Sequence, residues 1–204
     1  SPAVPFIGTS VLAFLFGTVS ASLITVSSIT HNVFQLPLVM ILMSVATGDK
    51  SQHISFGARV VNAIKQPVVW SPVIALIIVL ADIHIPQTIS MSLGLLGKAS
   101  GGLALFAAGI VLYTRSIVIT TATIITVIAR NILVPGACYL ILLKMGFSME
   151  QIKEVVLTMA IPVGSIAIII AMQYKTGEQE MASTMALSII ASIITMGGFI
   201  FLTF

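Results

Sequence analysis

Charge is nearly missing from this chain: 7% of its 204 residues are Asp, Glu, Lys or Arg, against roughly a quarter in a soluble domain. With 58% hydrophobic residues and a mean hydropathy of +1.17, such a chain is an integral membrane protein. A transmembrane β-barrel would alternate apolar and polar residues over strands of about ten; the continuous apolar runs here exclude it. Cysteine is nearly absent too. Cys138 stands alone in an apolar stretch, which excludes a disulfide or a cysteine metal site and leaves it a small core residue. Nine Lys and Arg against six Asp and Glu give a net charge of +3, held mostly in short connections. That pattern fits membrane orientation, not nucleic-acid binding.

Catalytic signatures are also lacking. No HExxH, GxSxG, Walker GxxxxGK[ST] or potassium-filter motif occurs, so the sequence offers no enzyme chemistry, metal or cofactor site. A membrane-embedded enzyme using His31 with a hydroxyl, or a sensory or partner-binding module, stays as the competing class.

What is present is a set of about seven apolar segments, near 1–17, 19–44, 67–85, 89–112, 117–143, 153–172 and 182–204, each close to the length that crosses a bilayer. The expected fold is an all-α polytopic membrane protein. The opening segment begins without Met and is already apolar, so an N-terminal portion is expected to precede it. Between the second and third segments lies the extended polar stretch, 45–66. Its second half reads as an amphipathic helix, with Phe56, Val60, Val61 and Ile64 on one side and Arg59 and Lys65 on the other, suited to the headgroup layer. The positive-inside rule then puts Lys50, Arg59, Lys65, Arg115 and Lys175 in the cytoplasm, against Lys98, Lys144 and Lys153 outside.

Two segments are broken. Ser1, Pro2 and Pro5 interrupt the first, and Pro162, Gly164 and Ser165 the sixth. Proline removes a backbone donor and opens the helix, and opened backbone survives in lipid only when buried in protein or lining a cavity. Each break precedes a Ser/Thr-rich helix in which Leu23, Ser28 and Ile29 match Leu187, Ser192 and Ile193 at one offset. Paired breaks in two halves mark the binding site of an inverted-repeat transporter, and the amides of half-helices suit an anion. Arg130 lies near the centre of the fifth segment, where charge is costly. It either binds an anionic substrate, bidentately if a carboxylate, or pairs with a carbonyl end of a broken helix. In the second segment, Asn32 is a candidate cavity residue and His31 a candidate coupling group. Lys98 is expected to snorkel, and Gly101, Gly102 and Gly109 to allow close helix packing.

The stretches KQPVVWSPVIALII (65–78), GKASGGLALFAAGIVL (97–112), RNILVP (130–135) and MAIPVGSIAIIIA (159–171), with SPAVPFIG at the start and HNVFQLP at 31–37, resemble the auxin efflux carrier family. The likeness is to its bacterial members, malonate permeases among them. The resemblance implies a ten-helix carrier of two inverted five-helix repeats, its broken fourth and ninth helices crossing, with this chain holding the C-terminal seven. Residues 1–44 and 113–204 would then form the transport domain, 45–66 a cytoplasmic loop and 67–112 a scaffold through which a homodimer forms. Substrate would sit near Pro5, Asn32, Arg130 and Pro162. The implied function is alternating-access transport of a small organic anion, coupled to a proton or sodium ion, in the bacterial cytoplasmic (inner) membrane. The first crossing is Ser/Pro/Gly where plant members are asparagine-rich, so their auxin contacts do not carry over.

Overall fold

The computed structural model describes residues 3, 4, 8–47, 56–114 and 117–204. They are helical almost throughout, with no strand among them, and the expectation of an all-α polytopic membrane protein holds. The helices are α1 Thr9–Phe16, α2 Ser20–Thr30, α3 Leu36–Ala46, α4 Phe56–Ile64, α5 Pro67–Leu80, α6 Gln87–Thr114, α7 Thr121–Ile128, α8 Val134–Lys144, α9 Met149–Ala160, α10 Ile166–Gln173 and α11 Glu178–Thr203. A π-turn joins α2 to α3 at His31–Gln35, and a second joins α7 to α8 at Ala129–Leu133. Three stretches among the described residues are long and apolar enough to cross a membrane: Thr9–Ala46, Thr121–Lys144 and Glu178–Thr203. The 26 residues of α11 rise about 39 Å at 1.5 Å each, more than the hydrocarbon core requires. Large side chains such as Phe14, Leu80, Ile194 and Phe201 stand outward, as lipid demands and water would not tolerate.

Local sequence explains the helix boundaries. Ser148 and Gln151 form a reciprocal capping box that starts α9. Thr120 accepts the Thr123 N–H and starts α7. At the other end of α9, Ile161 is driven to ψ 134° by the proline that follows it, and the helix stops. The chain turns out of α1 at Gly17, where φ is +56°.

Packing divides the chain into two units, Ser1–Thr25 with Gly101–Phe204, and Val26–Ser100. In the first, α11 packs against α7, α9, α10 and the 129–133 turn, and α8 packs against α9. Its interior carries hydroxyls and small residues: Ser20, Thr123, Thr158, Ser183, Thr184 and Ser188 are all buried. That is how membrane helices approach closely, since lipid supplies no hydrophobic drive between them. In the second, α3 packs on the 31–35 turn and on α4, and α5 packs on that same turn. The amphipathic helix expected in 45–66 is α4; Val61 and Ile64 are exposed and Ala63 is buried. The side chains of Phe56 and Arg59, and all of Lys50 and Arg115, lie outside the described residues.

Candidate functional site

The sixth segment breaks as expected. Helix α9 ends at Ala160, α10 begins at Ile166, and the residues between run non-helically through Pro162. The opening segment meets it there. The Ala3 N–H donates to the Pro162 carbonyl at 2.9 Å, and Ala3, Val4 and Leu12 pack with Ala160, Ile161 and Met196 in one apolar cluster. Gly164 is what lets the two segments touch. A Cβ placed on it would stand 3.2 Å from the Ala3 Cα. Gly8 contrasts with it, because the 2.7 Å neighbour there is the tip of the Ile161 side chain, which can turn aside. Gly164→Ala is therefore expected to lower stability by about 1–3 kcal/mol through backbone overpacking, with Gly8→Ala costing less; thermal unfolding in detergent checks the order.

Breaking α9 frees backbone groups, and their partners are specific. The Met159 carbonyl would normally accept from Val163. Instead the Val163 N–H donates to Ser188 Oγ at 3.1 Å, and the Met159 carbonyl accepts from Arg130 Nη1 at 2.7 Å. Of the two roles open to Arg130 in the sequence, the carbonyl end of a broken helix is thus one it performs. Among the described residues only one arm of the guanidinium is used: Nη2 is buried and has no hydrogen-bond partner there, an expensive state for a charged donor.

Asn131, next in the chain, is fully buried. Its Nδ2 donates to the Ser188 carbonyl at 2.8 Å, and its Oδ1 accepts from Ser188 Oγ at 2.7 Å. Asn131, Ser188 and the Val163 amide therefore form one closed network between the 129–133 turn, α11 and the break. Sequence reading passes over both Asn131 and Ser188, which lie 57 residues apart. The available signal was polarity at membrane depth, which favours an inward-facing, bonded side chain.

The two π-turns share one construction. Leu36 N–H reaches back five residues to the His31 carbonyl, and Val134 N–H reaches back five to that of Ala129. Continuing that ladder, the carbonyls of Asn32 and Arg130 should accept from residues 37 and 135. Both are proline and have no N–H. Each turn thus opens one carbonyl at the residue the sequence singles out, consistent with π-turns marking functional positions.

Among the expected site residues, Arg130, Pro162, Gly164 and Ser165 belong to the first unit. Ser165 is buried at the start of α10, and no described residue accepts its N–H or that of Ile166. His31 and Asn32 belong to the second unit, where His31 Nδ1 lies 3.0 Å from Gln35 Oε1 and the Asn32 side chain is half-buried. Pro5, with Ser1 and Pro2, lies outside the described residues.

Comparison with known proteins places this broken helix and the segment that meets it in a family. The model of the membrane transport protein family matches residues 1–200. The chain belongs to that family. The resemblance to auxin efflux carriers read from its motifs is thereby confirmed. It is also 29% identical over 197 residues to the "Uncharacterized transporter YfdV" of Escherichia coli K12, and equally to those of E. coli O157:H7 and Shigella flexneri. The match covers 96% of this chain and 63% of each relative. The chain therefore spans less than two thirds of the length of these curated relatives. Both the family and these relatives are described as transporters.

Proposed function

We propose that the protein moves a small organic anion, a mono- or dicarboxylate, across the bacterial cytoplasmic membrane by alternating access as a secondary active transporter. One observation carries the reading. Arg130 has one arm fixed on the Met159 carbonyl while the other arm, buried, has no partner among the described residues. A carboxylate oxygen completes that arm with a charge-assisted hydrogen bond, and fixing Nη1 orients the free one beforehand. The N–H groups of Ser165 and Ile166, at the positive end of α10, add donors of the same sign. The substrate-binding residues proposed are Arg130, Pro162, Gly164 and Ser165, with Pro5 of the opening segment.

The remaining parts of the reading follow the family. Asn32 lines the pathway, its carbonyl lacking a helical donor because residue 37 is proline, and His31 carries a coupling proton, with sodium the other candidate ion. Residues 67–112 serve as scaffold and dimer contact, against a transport domain of 1–44 and 113–204.

Full-length protein in proteoliposomes, loaded with unlabelled malonate, is expected to take up labelled malonate, succinate or acetate saturably and faster than empty vesicles. Absence of carboxylate flux, with a neutral or cationic solute carried instead, would overturn the assignment. A coupling role for His31 predicts that His31→Ala abolishes uptake driven by a pH gradient and spares exchange at equal pH. Equal loss of both would remove it from that role.

A further inference from the structure

Helix α11 carries a line of hydroxyls, and one of them is used differently. Ser183, Thr184, Ser192 and Thr203 each donate to a carbonyl three or four residues back in their own helix, a bond open to any helical Ser or Thr. Ser188 forgoes it. Its Oγ donates to Asn131 Oδ1 at 2.7 Å and accepts the Val163 N–H at 3.1 Å, while its carbonyl accepts Asn131 Nδ2 at 2.8 Å. The residue is wholly buried, and its hydroxyl can make both bonds because it donates and accepts at once.

What Ser188 joins are the two sides of one lost bond. In an unbroken α9 the Met159 carbonyl would accept from Val163. Arg130 takes the carbonyl and Ser188 takes the N–H. Asn131, the residue after Arg130, holds Ser188 by both ends of its amide. The 129–133 turn therefore grips the α9 side of the break directly, through Arg130, and the far side through Asn131 and Ser188. Val163 stands two residues before Ser165, where α10 starts. A continuous path thus runs from Arg130 to the first amides of α10, by way of Asn131, Ser188 and Val163.

We infer that Ser188 is a positioning residue for the transported anion. It fixes the separation between the Arg130 guanidinium and the N–H groups of Ser165 and Ile166, so that one carboxylate meets both. The inference rests on the anion reading of the crossing and extends it from the groups that touch the substrate to the one that sets their spacing. Without a hydroxyl at 188, Val163 loses its tie to the turn that carries Arg130, and the α10 amides drift with it.

The test uses full-length protein in proteoliposomes with labelled malonate and succinate, comparing Ser188→Ala, Ser188→Cys, Ser192→Ala and Arg130→Gln, with the folded protein in each preparation quantified. Ser188→Ala should raise KM about tenfold, as if one hydrogen bond to the charged substrate were lost. Ser188→Cys keeps a side chain of similar size with a weaker donor and acceptor, and its KM should fall between wild type and alanine. Ser192→Ala, whose hydroxyl bonds Ile189 in its own helix, should keep the wild-type KM. A merely structural Ser188 would lower Vmax with the amount of folded protein and leave KM alone. Should the alanine variant fail to reconstitute, the cysteine variant decides. On top of Arg130→Gln, Ser188→Ala should raise KM by less than about twofold, because the pair it aligns is already broken. A wild-type KM in the Ser188 variants overturns the inference, as does a full tenfold rise on top of Arg130→Gln. If Arg130→Gln cuts flux while the Ser188 variants keep the wild-type KM, Ser188 alone loses its role and the anion reading stands. If the wild type carries no carboxylate, or Arg130→Gln keeps full activity, the anion reading falls and the inference with it.

Discussion

Asn131→Leu is expected to unlock the crossing, at a cost of about 2–4 kcal/mol. Two buried hydrogen bonds to Ser188 vanish, at 2.8 and 2.7 Å. Hydrogen bonds between membrane helices contribute about 0.6 kcal/mol on average and up to about 1.7. The variant exceeds that sum because Ser188 Oγ loses its acceptor inside the protein, and an unsatisfied buried group adds about 1–3 kcal/mol. The loss spreads further, since Ser188 also holds the Val163 amide at the break. Ser188→Ala should show a similar loss, and the double variant Asn131→Leu/Ser188→Ala little more than either alone, because contacting residues in one network are not additive. Reversible unfolding in mixed micelles reads all three. A loss below about 0.5 kcal/mol for Asn131→Leu would show that the network does not hold the break.

Arg130→Gln is expected to cut kcat/KM for carboxylate flux by about 10- to 100-fold, the effect of losing a charge-assisted hydrogen bond of about 1.5–3 kcal/mol. Stability should change little, because removing a half-buried charge relieves desolvation as the bond to Met159 is lost. Arg130→Lys separates charge from geometry. A lysine keeps the charge at one point but lacks the planar fork that serves the Met159 carbonyl and a ligand together. It should therefore fall well short of wild type. Full activity in Arg130→Lys would mean that charge alone suffices, and full activity in Arg130→Gln that the arginine acts only as a helix cap.

Much of this architecture is legible in the sequence because bilayer physics is coarse. Span length, low charge and the proline at 162 foretell a helical membrane protein with a break between α9 and α10, and both appear. The π-turns are half-legible. Pro37 and Pro135 each follow five residues after a polar residue, Asn32 and Arg130, but proline alone does not tell a kink from a π-turn. The Asn131–Ser188 pair and the contact of Ala3 with Pro162 and Gly164 are not legible. Their partners are brought together by tertiary packing, and serine in α11 looks the same whether it bonds its own turn, as Ser192 does, or another helix, as Ser188 does. Arg130 shows the same limit. Its charge at mid-span announced importance, while the division of labour between its two nitrogens required coordinates.

The claim that an anion is held at the crossing is tested most directly by a thiol at Ser165. With Cys138 replaced by alanine, the Ser165→Cys variant of the full-length protein carries its probe at the start of α10. A negatively charged, membrane-impermeant methanethiosulfonate should modify it, with malonate or succinate slowing the reaction in a saturable way and an uncharged diamide of equal size leaving it unchanged. A thiol that stays unreactive in every condition, or one that carboxylates do not protect, would contradict an anion site at the crossing.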